Sequence, residues 1–212
     1  MSPLVIPLVC VGSYLIGSIP AGYFAGLVAG VDIRQQGSGN IGATNVLRTL
    51  GKKYGYPVFA FDVLKGFLAV TVAPWIAHHL GDENHDEWLR ILGAISGVVG
   101  HSYPVWLRFK GGKGVATSAG ILLALVPVAA VVAATIWTLT FLATRYVSIA
   151  SIAAAVTLPI AVEVCIRIMN SPERLPFYLS IALSVVVLIR HRSNFSRLMH
   201  GTEQRFTRSE DQ

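Results

Sequence analysis

The sequence predicts an all-α integral membrane protein, and three observations support this fold class. Of its 212 residues, 53% are hydrophobic and only 13% are charged, about half the charged fraction of a soluble domain. Residues 3–31 contain no charged side chain, whereas about 20 apolar residues suffice for a spanning helix. Helices are expected because they satisfy their own backbone hydrogen bonds in lipid. This composition excludes a disordered chain, a coiled coil and a disulfide scaffold.

The charged residues lie between the apolar segments, and the sign of the charge alternates from loop to loop. The loops at 32–53 and 108–117 and the segment after Arg190 are rich in Lys and Arg, whereas the loop at 81–90 is acidic. Because Lys- and Arg-rich loops stay in the cytoplasm, we expect the N-terminus outside and the C-terminus in the cytoplasm. The net charge of +6 then reflects membrane topology, and no nucleic-acid partner is expected.

About seven helices are predicted, namely five full spans and one short helical hairpin. Three apolar segments follow residue 117, and three spans would place the basic C-terminal segment outside. Pro127 interrupts the first of these segments, which leaves too few residues before it to cross a core of about 30 Å. A hairpin of 118–126 and 128–143 would return the chain to the cytoplasm. We expect residues 1–199 to form a single polytopic domain and residues 200–212 to be a flexible, dispensable cytoplasmic tail.

The first cytoplasmic loop contains a glycine-rich segment, 37–45, that is expected to bind an oxyanion. Its three glycines allow the backbone to turn and to present N–H groups. Its hydrogen-bonding side chains are Ser38, Asn40, Thr44 and Asn45. A helix that begins near Thr44 would bring Arg48 over the same place. The alternative is an ordinary turn-rich connection between two spans.

The third loop, 108–117, combines glycines with lysines and is the second candidate anion site. It does not match the phosphate-binding loop of nucleotide triphosphatases, because Gly114 follows Lys113 where Ser or Thr should stand. Gly111 and Gly112 would free backbone amides, and Lys113 adds a positive charge. A helix that begins near Thr117 would direct its positive end toward an anion. The alternative is a basic loop that only fixes the topology.

A third polar cluster follows the last apolar segment, and ionisable residues also occur within the spans. His191 and Asn194 are three residues apart and would share one face of a helix, although a basic stop sequence is the alternative. Lys65, three residues after Asp62, and His101 are secondary candidates, because ionisable residues in apolar segments often serve a function. No Cys/His spacing indicates a metal site, and no cofactor is expected.

Seven short motifs follow one another along the chain. They are Gly17-Ser18-Ile19-Pro20, Asp32-Ile33-Arg34, the 37–48 segment, Asp62-Val63-Leu64-Lys65-Gly66, Gly100-His101, the 111–117 segment and Arg190-His191-x-x-Asn194. Their order resembles the bacterial acyl-phosphate:glycerol-3-phosphate acyltransferase family of the inner membrane. The resemblance extends from about residue 11 to residue 198.

The resemblance implies a reaction and a set of site residues. An acyl group would move from acyl phosphate to the 1-hydroxyl of glycerol 3-phosphate, giving 1-acyl-glycerol 3-phosphate (lysophosphatidic acid) and phosphate, at the cytoplasmic face. The implied catalytic residues are Ser38, Arg48, Lys113, His191 and Asn194. The implied substrate or backbone contacts are Asn40, Thr44, Asn45, Gly111, Gly112 and Thr117. The expected partners are the two substrates and membrane lipid, and no protein partner is predicted.

Two other classes of function fit parts of this pattern. A phosphate-ester transporter could also direct helix N-termini at an anion, but the polar clusters lie on one face rather than at the midplane. A structural subunit could bind anionic lipid through its basic loops, but it leaves the Ser, Asn and Thr of the first loop unexplained. For the enzyme we expect direct transfer without an acyl-enzyme, with a substrate phosphate or His191 as the base.

Overall fold

The computed structural model of the protein describes residues 3–81 and 86–206, and within them it contains ten α-helices and no β-strand. Part of the acidic loop and residues 207–212 of the expected tail lie outside the described residues. The chain divides into two compact units, of which the first ends at Leu125 and the second begins at Val126. The predicted all-helical class is confirmed.

The first unit is organised around its longest helix. Its helices are α1 (Val5–Ser18), α2 (Ala21–Val28), α3 (Ala43–Leu50), α4 (Lys52–His79), α5 (Asp86–Ser102) and α6 (Val115–Leu125), with short 3-10 helices at Ile33–Gln35 and Val105–Leu107. Helices α1, α3, α5 and α6 all pack against α4, and α1 also packs against α5. The segments between α2 and α3 and between α5 and α6 carry the two glycine-rich loops.

The second unit contains four helices. They are α7 (Pro127–Thr144), α8 (Val147–Ile168), α9 (Leu175–Arg190) and α10 (Arg192–Met199). Helix α8 packs against both α7 and α9, and the chain bends by 52° between α9 and α10. His191 lies at this bend, so the short helix α10 begins directly after it.

Several described helices are long and apolar enough to cross a membrane. Four segments meet this condition: Val5–Val28, Lys52–His79, Pro127–Thr144 and Val147–Ile168. The bent pair α9 and α10 would be a fifth span. Helix α6, with 11 residues, is too short to cross a core of about 30 Å, because a helix rises about 1.5 Å per residue.

The predicted interruption at Pro127 is confirmed, but the predicted number of helices was too small. Helix α6 ends at Leu125 and α7 begins at Pro127. Pro20 divides the first apolar segment into α1 and α2, because the residue before a proline is driven from the helical conformation and Ile19 has ψ 115°. Helices α3 and α10 are the other additions, and both lie in segments too polar to be counted as spans.

Glycines allow the helices of the first unit to approach backbone to backbone. A Cβ atom at Gly120 of α6 would overlap the carbonyl of Val63 in α4, and a Cβ atom at Gly66 of α4 would overlap the carbonyl of Thr117 in α6. The neighbouring atoms belong to backbone and cannot rotate away. The α4–α6 contact therefore requires glycine on both sides.

Replacement of Gly120 by Ala should destabilise the protein by about 1–3 kcal/mol, the usual cost of an overpacked core. Gly12→Ala is the matched control, because a Cβ atom there meets only the flexible end of Ile76, at 3.3 Å. Thermal unfolding of both variants in detergent measures the difference. Equal melting temperatures for the two variants would contradict the backbone-to-backbone contact.

Candidate functional site

The side chain of Asn45 holds the first loop together. Its Nδ2 donates to the carbonyl oxygens of Ile33, Gln36 and Asn40 at 3.4, 3.0 and 2.8 Å, and its Oδ1 accepts from the backbone N–H of Ser38 at 2.9 Å. Asn45 is only 3% exposed. Its amide is used by the backbone of the loop, so the structure favours the backbone contact among the roles expected for this residue.

The start of α3 places the polar side chains of the first loop. Asn40 Oδ1 accepts from the N–H of Gly42 at 2.8 Å, and α3 begins one residue later. This confirms the prediction of a helix that begins near Thr44. Thr44 and Arg48 are four residues apart in α3 and therefore share one face. Ser38 is exposed and Arg48 is partly buried, as binding groups at the surface of the loop would be.

The third loop is fixed on the end of α5. The N–H of Gly111 donates to Ser102 O at 3.2 Å, and that of Gly112 donates to His101 O at 3.1 Å. A Cβ atom at Gly111 would overlap His101 O, and one at Gly112 would overlap His101 Nε2. The expectation that these two glycines free their amides for an anion is therefore wrong. They are needed because only glycine fits against His101.

Lys113 lies between this anchored segment and the first turn of α6. Helix α6 begins at Val115, two residues before the expected start, and the first N–H groups of a helix have no intrahelical acceptor. These N–H groups and Lys113 are the donors that the third loop offers to an anion. Thr117 has no exposed surface, and its backbone packs against Gly66.

A shared hydrophobic cluster brings the two glycine-rich loops to the same end of the first unit. Leu107, which lies just before the third loop, packs in one buried cluster with Ile33, Ile41, Val46 and Val58. Ile41 belongs to the first loop, and Val46 belongs to α3. The structure therefore holds the segments that carry Ser38 and Arg48 close to the segment that leads to Lys113.

A buried charged cluster lies beneath the third loop. Lys65 Nζ is 2.7 Å from Asp62 Oδ1 and donates to Ile19 O at 2.9 Å. His101 Nδ1 is 3.7 Å from the same Asp62 oxygen. All three side chains are almost completely buried. The two secondary candidates, Lys65 and His101, thus belong to one cluster with Asp62.

His191 and Asn194 lie in the second unit, at the junction of α9 and α10. His191 Nδ1 is 2.8 Å from Val187 O, so Nδ1 carries the proton and Nε2 is the nitrogen with a lone pair in the neutral ring. Asn194 Nδ2 donates to Glu203 Oε1 at 2.6 Å, and Arg197 Nε donates to Glu203 Oε2 at 2.7 Å. Both His191 and Asn194 are held by defined partners.

Glu203 is a residue that the sequence analysis missed, because it was assigned to the tail. Burial raises the pKa of its carboxyl, but hydrogen bonds from Asn194 and Arg197 outweigh this and hold the pKa below its ordinary value of 4.5. A carboxylate with a lowered pKa stabilises the fold above its unfolded pKa and loses this effect as the pH falls through the folded value. The contribution of Glu203 is therefore present at neutral pH and lost on acidification below pH 4.5. An isolated acid among Arg192, Arg197 and Arg205 was the available signal.

The segment after α10 also contacts the second unit through its backbone. The N–H of Phe206 donates to Arg145 O at 2.9 Å, and the ring of Phe206 meets that of Phe141 edge-on. Together with the bonds of Glu203, this contact joins residues up to Phe206 to the helices. The expectation that a cut after Met199 is harmless is not supported.

The apolar helices define an integral membrane protein that carries its two glycine-rich loops at one end of the first unit. A family model described as glycerol-3-phosphate acyltransferase matches residues 7–201, nearly the whole chain. The chain therefore belongs to the glycerol-3-phosphate acyltransferase family, and the resemblance inferred from the sequence is confirmed. The two classes considered as alternatives, transporters and structural subunits, do not match this family.

Relatives and solved structures agree with this assignment. The glycerol-3-phosphate acyltransferases of Synechococcus elongatus and Aquifex aeolicus are 50% and 41% identical over 196 and 194 residues, covering 91% and 92% of this chain and 90% and 95% of theirs. The crystal structure of PlsY (YgiH), an integral membrane glycerol 3-phosphate acyltransferase, in its glycerol 3-phosphate form is 39% identical with a TM-score of 0.85, covering 97% of this chain and 98% of its own. Its lysophosphatidic acid form is 38% identical with a TM-score of 0.81, covering 95% of each chain.

Replacement of Asn45 by Asp, a side chain of nearly the same shape, should disorder the first loop. The carboxylate retains an acceptor for Ser38 but has no N–H to donate, and its oxygen would face three carbonyl oxygens. We expect faster hydrogen exchange at 36–42 and an acyltransferase activity reduced about tenfold or more, since a lost charged or buried hydrogen bond costs about 1–3 kcal/mol.

Thr49→Val is the matched control for this variant. Thr49 lies one turn after Asn45 on the same helix, and its hydroxyl donates to the carbonyl of Asn45 at 2.8 Å. This variant should keep both the exchange rate and the activity. Unchanged exchange in Asn45→Asp would show that the loop does not depend on this amide.

Two truncations test the contacts that follow α10. A chain that stops after Phe206 keeps the acceptor of Asn194 and should retain activity and melting temperature. A chain that stops after Met199 loses Glu203, which leaves Asn194 and Arg197 without this partner, and both quantities should fall. Equal behaviour of the two truncated proteins would show that the Glu203 contacts have no effect.

Proposed function

We propose that this protein transfers an acyl group from acyl phosphate to the 1-hydroxyl of glycerol 3-phosphate at the cytoplasmic face of the bacterial inner membrane. The products are lysophosphatidic acid and inorganic phosphate, and the reaction is the first acylation of phospholipid biosynthesis. The observation that carries the proposal is the hydrophobic cluster at one end of the first unit. It holds the first loop with the α3 helix that bears Arg48, called the Arg48 loop below, beside the third loop, called the Lys113 loop below. The glycerol 3-phosphate and lysophosphatidic acid forms of a relative with the same fold support it.

The chemistry of the two loops suits two phosphate-bearing substrates. Arg48 offers a planar fork of N–H donors, which binds phosphate oxygens in pairs, and Lys113 offers a compact charge. The first turn of α6 adds backbone N–H groups. We assign Ser38, Asn40 and Thr44 to hydrogen bonds with the substrates, whereas Asn45, Gly111 and Gly112 shape the loops that carry these groups.

The reaction needs orientation and charge stabilisation more than a protein nucleophile. The oxygen of the 1-hydroxyl attacks the carbonyl carbon of acyl phosphate, and the ester bond forms as the bond from that carbon to the phosphate oxygen breaks. The phosphate leaves with the electron pair, and a phosphate oxygen takes the hydroxyl proton. Arg48 and Lys113 stabilise the negative charge of the transition state. An acyl group trapped on Ser38 during turnover would contradict this direct transfer.

His191 and Asn194, which lie in the second unit, are also proposed as catalytic residues. Because Nδ1 of His191 is turned to Val187 O, Nε2 is the atom that can accept a hydrogen bond from a substrate hydroxyl or donate to a phosphate when protonated. Asn194, fixed by Glu203, is assigned to orient a substrate. We assign these roles because the family resemblance places both residues in its catalytic motif.

We further propose one polytopic catalytic domain with the N-terminus outside and the C-terminus in the cytoplasm. The basic loops at 32–53 and 108–117 then share the cytoplasmic side with the segment after Arg190. The distribution of Lys and Arg supports this orientation.

The proposal predicts that purified protein in detergent converts acyl phosphate and glycerol 3-phosphate to lysophosphatidic acid with an equal amount of phosphate. Arg48→Ala and Lys113→Ala should each lower kcat/KM about tenfold to a hundredfold, because a charge-assisted hydrogen bond contributes about 1.5–3 kcal/mol. Lys53→Ala is the control, since Lys53 is an exposed cation at the start of α4 and should behave as wild type.

The outcomes of this assay separate the functions. Phosphate release without lysophosphatidic acid would indicate hydrolysis. No turnover in detergent, with flux of glycerol 3-phosphate in sealed vesicles, would indicate a transporter. Wild-type kinetics in both Arg48→Ala and Lys113→Ala would overturn the placement of the site.

A further inference from the structure

The Asp62–Lys65 pair carries two charges inside a membrane-spanning helix. Removing two charges from water costs several kcal/mol per ion, and their attraction returns little net stability. Both side chains are nearly inaccessible, with exposures of 4% and 2%. A direct contact with substrate is excluded by this burial. The cost of the pair therefore indicates a purpose other than stability or substrate contact, which ionisable residues in spans commonly have.

His101 connects this ion pair to the third loop. One edge of its ring, at Nδ1, faces Asp62, and the other edge, at Nε2, lies against Gly112 so closely that no methyl group fits there. The carbonyl of the same residue accepts from the N–H of Gly112. The position of the ring thus sets the position of the residue that precedes Lys113.

The segment that follows Lys113 packs against the same region of α4. Gly66, the residue after Lys65, packs against the backbone of Thr117 in the first turn of α6. The Lys113 segment is therefore supported on one side by His101 and on the other by the α4 turn that carries the ion pair. Displacement of this turn would move both supports.

Lys65 also connects the cluster to the first loop. Its ammonium donates to the carbonyl of Ile19 at the break between α1 and α2. Gly22, three residues further on, packs against the carbonyl of Ile41 in the first loop. The cluster therefore contacts the supports of both glycine-rich loops.

We propose that Asp62, Lys65 and His101 are positioning residues that set the Lys113 loop, and its placement relative to the Arg48 loop, for phosphate binding. This inference rests on the proposed function, since it assigns the purpose of the cluster to the same site. The three residues act through the loop backbone and do not touch the substrate. Their effect is therefore expected mainly in KM, with a smaller effect on kcat.

The test replaces the ion pair by a neutral pair, Asp62→Asn together with Lys65→Gln. Two amides can hydrogen-bond each other, so no unpaired charge is left in the membrane. The carboxylate that faces His101 is lost. We expect KM for glycerol 3-phosphate or for acyl phosphate to rise about tenfold or more, since a misplaced binding group can cost up to about a hundredfold. Hydrogen exchange at 110–117 should become faster.

Two single variants of His101 test the link without touching the ion pair. His101→Asn places an amide near the position of Nδ1 and removes the contact with Gly112. His101→Gln places an amide nearer the position of Nε2 and should restore KM in part. These variants keep the inference testable if the double variant does not fold, because both are neutral replacements of one ring.

Ser13→Ala is the matched control for a purely structural effect. Ser13 is fully buried and donates to Ala69 O at 2.8 Å between α1 and α4, away from both loops in sequence. Its loss should lower the melting temperature and leave KM and exchange at 110–117 unchanged. If KM rises as much in Ser13→Ala as in the neutral pair, the rise comes from general destabilisation, and the positioning role is overturned.

The outcomes also distinguish the inference from the proposed function. If the wild-type protein shows no turnover with acyl phosphate, the proposed function fails, while exchange at 110–117 still tests the positioning. If the wild type turns over and the neutral pair has wild-type KM and wild-type exchange, the positioning network is overturned and the enzyme assignment stands.

Discussion

Backbone hydrogen bonding is the constraint on which this structure depends, because a segment that leaves the helical conformation near lipid must find other partners for its N–H and C=O groups. The first loop finds them in one side chain, the amide of Asn45, which binds three carbonyl oxygens. The third loop finds them in the carbonyl oxygens at the end of α5. Each irregular segment is thereby fixed by hydrogen bonds, and Arg48 and Lys113 lie directly after these segments.

The buried acids of the described residues follow a second pattern, in which one carboxylate has two partners. Glu203 accepts from Asn194 and Arg197 in the second unit, and Asp62 contacts Lys65 and His101 in the first. In a chain of which only 13% is charged, such pairs hold the residues that adjoin the candidate catalytic groups. In both places a buried acid is the fixed anchor for the groups around it.

Much of this arrangement could be predicted from the sequence, because some residue types are compatible with only one local backbone structure. Pro127 had to end a helix, and the polar segment before Thr44 had to precede one. Glycines are ambiguous, since the same residue frees an amide or permits close approach. From the sequence, Gly111 and Gly112 indicate anion donors, whereas the position of His101 shows why they are small. Glu203 was missed because its partners, Asn194 and Arg197, lie on α10, and only the turn of the chain at Gly201 brings the carboxylate back to them.

The glycine contacts between α4 and α6 have a consequence for the evolution of this protein. A contact between two side chains can be repaired by a compensating substitution in the partner, so such pairs drift together. At Gly66 and Gly120 the partner is a carbonyl group, which is the same in every amino acid and cannot change to compensate. These two positions should stay invariant while the apolar residues that face lipid exchange freely among Val, Ile, Leu and Phe.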